Sequence, residues 1–468
     1  NMAKDLQFAG DYKLGPIVLY SASDPIDLRP LMLELNLYES VYSPNMYGNL
    51  VIRDSANHKQ NAPIIGQEEI EFNLFLPENE EIDFRTYRMR IYKVAGHEET
   101  AEREQIYTLH FTTKEAVKNS RTTIKNAFEG GSDQIFARVM RDVIDTKKKL
   151  FVEPTSTNNK LLGNNMRPYD YLHMLAHRTS SRDFNGAGYL FYENHRGIHF
   201  RSWESLHRTK TDNVPMKIDY YVNPAGEPIV VDEDMRKIIS YSIEKTQDTL
   251  AGHASGFFGS KHYNYSRIDK SLTIKESDYD QKFKRRFTTE GESFPMFPKT
   301  PEDATGKDFT DYKDARVFVS SFDKSLHTQS ATDEKSYDNN DSIFQDRLHD
   351  KLDHDQIVLS VSVPGNTNLA AGDIVGINIP TYESLDNPGD RVYDLYLSGR
   401  YIITDLVHSV SDNSYGCTFK CVRNDMKIPL PKGDESIEDR TVHTEPQGAT
   451  LDVLGTAYIG ESDEATEF

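Results

Sequence analysis

The stretch from residue 365 to residue 425 decides the fold. It contains Gly365-Asn-Thr-Asn-Leu369, Ala371-Gly-Asp-Ile-Val-Gly-Ile-Asn-Ile-Pro380, Leu397-Ser-Gly-Arg-Tyr-Ile-Ile-Thr-Asp-Leu-Val-His408 and Tyr415-Gly-Cys-Thr-Phe-Lys-Cys-Val-Arg423. Glycine next to aspartate or serine opens two of the apolar runs, and a proline closes one of them. This punctuation is typical of turns between strands, so the stretch predicts consecutive β-strands, with a further turn at Asp412-Asn413.

Five positions of this stretch are candidates for structural turns or interfaces: Gly372, Asp373, Gly399, Arg400 and His408. Glycine supplies a positive φ, and aspartate supports a turn by local hydrogen bonds. The arginine has a second interpretation, an ion pair with an acid on a neighbouring subunit. We assign no catalytic, cofactor-binding or metal-binding residue in the chain.

The only two cysteines, Cys417 and Cys421, lie in the same predicted strand. Four residues of strand span about 13 Å, which is too far for a disulfide, and both side chains point to one face. We therefore expect free, buried thiols in a protein made in a reducing cytoplasm.

Composition excludes several classes of protein. A chain of 468 residues is long enough for two to four domains. Its mean hydropathy of −0.64 and the charged residues near its N-terminus argue against a membrane span or a signal peptide. The net charge of −20 argues against a nucleic-acid binder and suits a conduit to which DNA does not adhere, although solubility alone also explains it.

Residues 15–113 show the period of two that is typical of strands. The alternation is seen in the leucines at Leu31, Leu33, Leu35 and Leu37. A turn is predicted over Ser43-Pro44-Asn45 and Gly48, and further strands are predicted at 50–53, 69–76, 85–94 and 105–113. About five or six strands in a segment of this length indicate a β-sandwich or a small barrel.

The period then changes to that of helices. Ser132 is predicted to cap one helix, Pro168 to open a second helix over 168–181, and residues 189–202 to form a tight hairpin. Residues 236–275 return to strands around a glycine-rich turn at 252–259, and a short helix is predicted at 343–352.

These changes of pattern define a β-rich α+β fold with two similar antiparallel β-barrel domains and an inserted α+β region. The predicted units are 1–116 (first β-barrel), 117–235 (α+β insertion), 236–275 with 354–428 (second β-barrel), 276–353 (polar loops or an insertion) and 429–468 (an acidic, extended tail). The segment 431–468 has ten acidic and two basic residues, and it lacks a packing pattern.

The two β regions also match each other in layout. Residues 65–77 correspond in character to 371–380, residues 91–97 to 401–408, and residues 106–111 to 416–422. Any two β-meanders can show such a match, so the alternative to duplication stays open here. A true duplication in a trimer gives six similar barrels in a ring.

Several motifs, taken in order, resemble the baseplate hub proteins of T4-like contractile-tailed phages, which are related to the N-terminal part of type VI secretion spike proteins. The motifs are Pro168-Tyr-Asp-Tyr-Leu172 with Ala176, Gly188-Tyr-Leu-Phe-Tyr-Glu-Asn194, Gly197-Ile-His-Phe-Arg-Ser202, Gln247-Asp-Thr-Leu-Ala-Gly-His253 with 256–259, Gly372-Asp-Ile-Val375, and Ser398-Gly-Arg-Tyr-Ile-Ile-Thr404 with His408. The resemblance covers roughly residues 15–425, and the polar region 276–345 and the acidic tail depart from it.

The resemblance implies a structural protein without a cofactor, whose β-barrels are similar to tail-tube domains. It implies a homotrimer in the virion baseplate that adapts the sixfold tail-tube protein to the threefold central spike protein. Baseplate wedge proteins are its further neighbours, and DNA passes through or above its channel without specific binding. Synthesis is expected in the cytoplasm of the host bacterium.

An enzymatic alternative is a tail-associated hydrolase of polysaccharide or cell wall. Its carboxylate pair cannot be singled out among 74 acidic residues, and the sequence has no nucleophile elbow or phosphate-cradling loop. His173 and His177 have the spacing of a metal pair on a helix, but no glutamate follows the first one as in zinc proteases. We interpret both histidines as packing or surface residues.

Overall fold

The structure is a computed structural model. It describes residues 9–22, 24–61, 64–75, 85–101, 104–184, 186–207, 218–222, 234–267, 270–279, 311–321, 334–381, 393–411 and 414–424. The predicted turn at 412–413 and the predicted acidic tail, 429–468, lie outside the described residues.

The first β block forms where the period of two was found. Its strands are β1 Lys13–Leu14, β2 Val18–Tyr20, β3 Ile26–Asp27, β4 Met32–Ser40, β5 Tyr47–Asp54, β6 Glu69–Phe75, β7 Arg85–Ala101 and β8 Glu104–Thr112, with a short helix α1 His58–Asn61. A β-bulge between Met32 and Glu34 shifts the leucine alternation, so Met32 is buried and Leu33 is only half-buried. Gly48 lies inside β5 rather than in the turn. A Cβ atom there would approach the Phe111 ring to 2.4 Å, so the glycine makes room for this ring.

The inserted region mixes short helices and strands. Its elements are α2 Lys114–Arg121, β9 Ala127–Gly131, α3 Ser132–Arg138, β10 Leu150–Val152, β11 Asn158–Leu162, α4 Pro168–Ala176, β12 Tyr189–Asn194, β13 Gly197–Ser202 and α5 Trp203–His207. The hairpin of β12 and β13 is confirmed. Ser132 is wrong as a cap, because its hydroxyl bonds to Thr157 and the N-cap is Gly131. The helix that begins at Pro168 ends at Ala176, five residues earlier than predicted.

The remaining elements complete the second β block and a small separate sheet. They are β14 Asp219–Tyr221, β15 Ser240–Lys245, α6 Thr249–Ser255, β16 Gly259–Tyr265, β17 Leu272–Asp278, β18 Val317–Ser321, α7 Glu334–His354, β19 Ile357–Pro364, β20 Ile374–Asn378, β21 Gly399–Ser411 and β22 Ser414–Arg423. The first part of the predicted glycine-rich turn is helical and belongs to α6, whose N-cap Asp248 accepts a hydrogen bond from the Ala251 amide. The predicted helix at 343–352 is the last part of the longer α7.

The β-rich, antiparallel character is confirmed, and the two β blocks share one sheet. The 14 strands of this sheet run in the order β15-β19-β22-β21-β4-β5-β8-β7-β6-β2-β3, with β1 paired to β6, and β20 and β14 attached beside β21. The two blocks therefore meet where β21 pairs with β4. Strands β16, β17 and β18 form a second sheet, and β10, β13 and β12 form a third.

The match between the blocks that the sequence predicts is present in the strand order. Within the first block the order is β6-β7-β8-β5-β4, and within the second it is β20-β21-β22-β19-β15. The two orders are the same when the strands of each block are numbered along the chain: β4 corresponds to β15, β5 to β19, β6 to β20, β7 to β21 and β8 to β22. We call this set of five strands the repeated five-strand unit.

The register of the repeated five-strand unit matches as well. One row of paired residues runs Leu37–Gly48–Phe111–Ile91, and the matching row runs Ile243–Leu359–Cys421–Ile403. Each row ends at a β-bulge, after Ile91 in β7 and after Ile403 in β21. Since chance similarity of two meanders does not set matching bulges, the register favours duplication.

One continuous core lies under both blocks. It includes Leu50 and Phe111 from the first block and Val361 and Phe419 from the second, all at most 1% exposed. The two cysteines are free and buried, as predicted. Burial raises the pKa of the Cys417 thiol to about 12, so this thiol is unreactive at neutral pH.

Candidate functional site

The turn at Gly372 and Asp373 anchors the second block to the inserted region. Gly372 has a φ of +92°, and a Cβ atom there would lie 2.6 Å from the hydroxyl of Tyr192. Asp373 accepts a hydrogen bond from the Ala370 amide at 3.1 Å, which supports the turn. Its carboxylate also takes two bonds of 2.6 Å from the guanidinium of Arg196, at the tip of the β12–β13 hairpin. This turn is thus both a local turn and an interface within the chain.

Glu39 ties three parts of the molecule together at the same tip. Its carboxylate, fully buried at the end of β4, accepts bonds from the His195 amide and ring Nδ1, both at 2.9 Å. It also accepts the Ala371 amide at 3.0 Å. Burial favours the neutral acid, but the charge and hydrogen bond of His195, with further contributions from His408 and Ala371, lower the pKa of Glu39 to about 2.

A second buried carboxylate, Glu193, joins the hairpin to the first block. It accepts bonds from the Thr113 hydroxyl at 3.0 Å and from the Met46 amide at 3.4 Å, and it pairs with Lys148. The same ammonium donates to Glu115 at 2.7 Å. Burial and the neighbouring charge of Glu115 raise the pKa of Glu193, although Lys148 and the hydrogen bond from Thr113 oppose this. One lysine therefore serves two acids at this contact.

These contacts define a junction site, made of the hairpin tip 193–196 with Glu39 and Asp373. Both β blocks and the inserted region meet there, and a small apolar cluster that includes Tyr192, Ile374 and Ile402 packs beside it. A cavity of about 370 Å³ opens at the junction and is lined by residues such as Met46, Thr113 and His195. Removing either partner of a buried ion pair leaves an uncompensated charge, so these contacts are costly to break.

The other three predicted positions lie on β21. Gly399 begins β21 with a φ of +152°, and Arg400 follows it, half-buried, opposite Gly376. His408 is 3% exposed, and its Nδ1 lies 2.8 Å from the Tyr415 hydroxyl and 3.3 Å from the Cys417 sulfur. His408 is therefore a core residue of the single chain.

The predicted histidine pair lies at the C-terminal end of α4, where His173 is half-buried and His177, the residue after the helix, is exposed. The His173 ring lies against Phe191, with 5.4 Å between ring centroids. Partial burial and the charge of Arg347 lower the pKa of His177 to about 4. Within the described part of the chain, no group of three potential metal ligands is found. None of the helices described combines the length and apolarity that crossing a membrane requires.

The sequence did not reveal the junction residues Glu39, Glu193, His195 and Arg196. The pattern predicts the tight hairpin over 189–202 but gives the polar side chains at its tip no partners in the β blocks. The partners are 156 residues apart for Glu39 and His195 and 177 apart for Arg196 and Asp373. The one usable signal was a charged residue next to a histidine in a two-residue hairpin, where glycine and asparagine are usual.

Comparison with known proteins first gives the class of protein. The fold is similar to that of the tail protein from Neisseria meningitidis MC58, whose structure matches 88% of this chain and 97% of its own, with a TM-score of 0.51 and 10% identity. In sequence, the chain is 23% identical over 331 residues to a probable baseplate hub protein of Vibrio phage KVP40, covering 67% of this chain and 69% of the relative. No family model matches the chain. The resemblance to baseplate hub proteins is confirmed.

Proposed function

We propose that this protein is the structural hub of a contractile phage baseplate and that it performs no catalysis. One observation carries the proposal: the repeated five-strand unit occurs twice in one chain and forms a single sheet. A repeated unit of this kind lets one chain present two similar surfaces to a symmetric partner. The similarity to a probable baseplate hub protein supports the same role.

Three copies of the chain would present six such units around a ring. In this arrangement each unit forms one β-barrel, so every chain contributes two barrels. The threefold ring then matches the sixfold tail tube on one face. The central spike protein occupies the threefold face, and wedge proteins surround the ring. The junction site supports this role, because neighbouring residues of one hairpin bind both units, His195 binding Glu39 of the first and Arg196 binding Asp373 of the second.

The exposed face of the second unit has the chemistry of a channel wall. It carries small hydroxyl side chains in adjoining strands, and two of them, Ser362 and Thr418, bond to each other at 3.1 Å. The further hydroxyl side chains of this face, on the strands β15, β19, β21 and β22, are Ser240, Ser242, Ser360, Ser409, Ser411 and Ser414. With a net charge of −20 in the chain, such a wall lets DNA pass without specific binding.

The acidic segment 431–468 is proposed to contact the spike or a wedge protein. Its ten acidic residues suit a basic surface on a partner. A chain that lacks 431–468 is expected to keep its fold and to lose attachment to that partner. Unchanged attachment of both the spike and the wedge proteins would reject this role for the segment.

The test of the hub proposal is assembly from purified parts. We would mix the full chain with the tail-tube protein and the spike protein of the same phage and examine the mixture by electron microscopy. The proposal predicts a threefold ring between the tube end and the spike. Failure to bind either protein, together with cleavage of host-wall polysaccharide by the chain alone, would establish the hydrolase instead.

A further inference from the structure

The contact between the two repeated units follows a simple pattern within the chain. Strand β21 pairs with β20 up to Ile402, and after the bulge at Ile403 the same edge pairs with β4. The change of partner begins where the Val41 amide donates to the Thr404 carbonyl at 2.8 Å. The second half of a long strand in one unit thus receives the outer strand of the other unit.

The first unit contains the corresponding long strand, β7, which has a β-bulge at the equivalent position. The amide of Ile91 in β7 donates to the Glu68 carbonyl at 2.9 Å, as the amide of Ile403 donates to the Asp373 carbonyl at 2.9 Å. Strand β7 pairs with β6 up to Arg90, and a bulge follows Ile91. Beyond this bulge, no described strand pairs with the edge of β7 that corresponds to the covered edge of β21.

The second unit has a matching outer strand, β15, which holds the place that β4 holds in the first unit. Among the described strands it pairs only with β19. Ile243 of β15 is 45% exposed, whereas its counterpart Leu37 in β4 is 2% exposed. Tyr92 of β7 is 51% exposed. Apolar side chains are therefore exposed on both strands that lack the partner present in the other unit.

We propose that the edge of β7 after Lys93 pairs antiparallel with β15 of a second copy of this chain. The internal contact sets the register, because Val407 of β21 lies opposite Tyr38 of β4. Val407 is four residues after Ile403, and Tyr38 is one ladder step after Leu37. The equivalent positions are Ala95 and Lys245. The inference rests on the proposed function and adds to it which strands join the copies. Repeating this contact around a ring leaves neither edge open.

Disulfide trapping tests the register directly. The variant carries Ala95→Cys and Lys245→Cys, and the matched control carries Ala95→Cys and Ser240→Cys. Ser240 pairs with Ser362 and Lys245 with Val358, so the control position is displaced by four ladder steps, about 13 Å, beyond the roughly 7 Å that a disulfide spans. Cys417 and Cys421 are buried, so the unmodified chain reports any background cross-linking.

After mild oxidation, non-reducing gels are expected to show covalent trimers for the first variant and single chains for the control. Equal cross-linking of variant and control would overturn the proposed register. A non-covalent trimer by light scattering without the disulfide would overturn the strand pairing while leaving the hub proposal intact. A single-chain mass for the unmodified protein would count against the hub and the pairing together.

A second pair of variants works without any disulfide. Ile243→Lys places a charge in the proposed contact, and Ile274→Lys places one on β17, where the side chain is 52% exposed. Both chains are expected to fold, since both positions are exposed in the single chain. Loss of the trimer in the first variant alone supports the pairing. Retention of the trimer in both variants would overturn it.

Discussion

The two repeated five-strand units have the same strand order and register, but their surroundings differ. In the second unit the long strand β21 is covered by β4, and in the first unit the matching edge of β7 has no described partner. The turn before β20 is bound by Arg196, and the matching turn before β6 is closed by its own residues. The edge of the long strand is thus covered within the chain in the second unit, whereas in the first unit the same edge is available for a contact in the assembly.

The matching turns show how one local structure serves two purposes. Gly66 and Gly372 have φ values of +90° and +92°. Glu68 uses its carboxylate on three amides of its own turn, at 2.7 to 2.9 Å. Asp373 uses one oxygen on its turn and both oxygens on a guanidinium from the hairpin. The difference predicts that changes in the second turn affect the whole molecule more strongly.

The largest expected effect is that of replacing the second glycine. Gly372→Ala combines a left-handed backbone with a clash against Tyr192, so it should lower the free energy of unfolding by roughly 2–5 kcal/mol. Gly66→Ala has only the backbone cost of about 1–2 kcal/mol, because its nearest neighbour is 3.5 Å away. Urea denaturation of both variants measures this. Equal losses would show that the hairpin does not constrain the second turn.

The next effect concerns pH. Because the folded-state pKa of Glu39 is about 2, below its ordinary value of 4.5, the acid stabilises the fold above pH 4.5 and loses this contribution as pH falls towards 2. Glu39→Gln should therefore cost on the order of 3 kcal/mol near neutral pH and little at low pH. Urea denaturation of both proteins at several pH values measures the difference. A pH-independent difference would contradict the ionised state of Glu39.

Breaking the hairpin's ion pair should have a smaller effect. Arg196→Met leaves the carboxylate of Asp373, whose side chain is 8% exposed, without its cation. Since the guanidinium is partly exposed, we expect a loss of about 2 kcal/mol. Adding Asp373→Asn to this variant should cost little more, and a double-mutant cycle measures the coupling. Additive losses would indicate that the two side chains do not interact in solution.

The smallest effect is expected in the first turn. Glu68→Gln keeps one acceptor oxygen for the turn amides and replaces the other with an NH₂ group that cannot accept. At least one of the three bonds is therefore lost together with the charge assistance, and the loss should be about 1.5 kcal/mol. The same thermal or urea unfolding experiment compares it with Arg196→Met. A larger loss for Glu68→Gln would reverse the order that the two turns predict.

The sequence predicted the local part of this fold well. Alternating apolar residues and glycine-rich turns placed β6, β20 and β21 within a few residues, because these signals lie within one strand and its turn. The same signals exposed the match between the two units. Helix α6 was missed because the glycines around it suggested a turn and outweighed the cap at Asp248.

The junction site could not be predicted in this way. The amide of Ala371 and the carboxylate of Glu39 meet across 332 residues. No periodicity connects such positions, and only the sheet order that brings β4 beside β21 places them together. The sequence also did not predict that β20 and β4 pair with the same edge of β21, because the bulge at Ile403 has no distinct signal in an apolar run.

The most direct measurement of the central claim is the mass of the purified chain by light scattering at increasing concentration. If the repeated units form a hub ring, the mass should reach three times the chain mass of 53.5 kDa and stay there. A single-chain mass at every concentration, or a mass of two chains, would contradict the account.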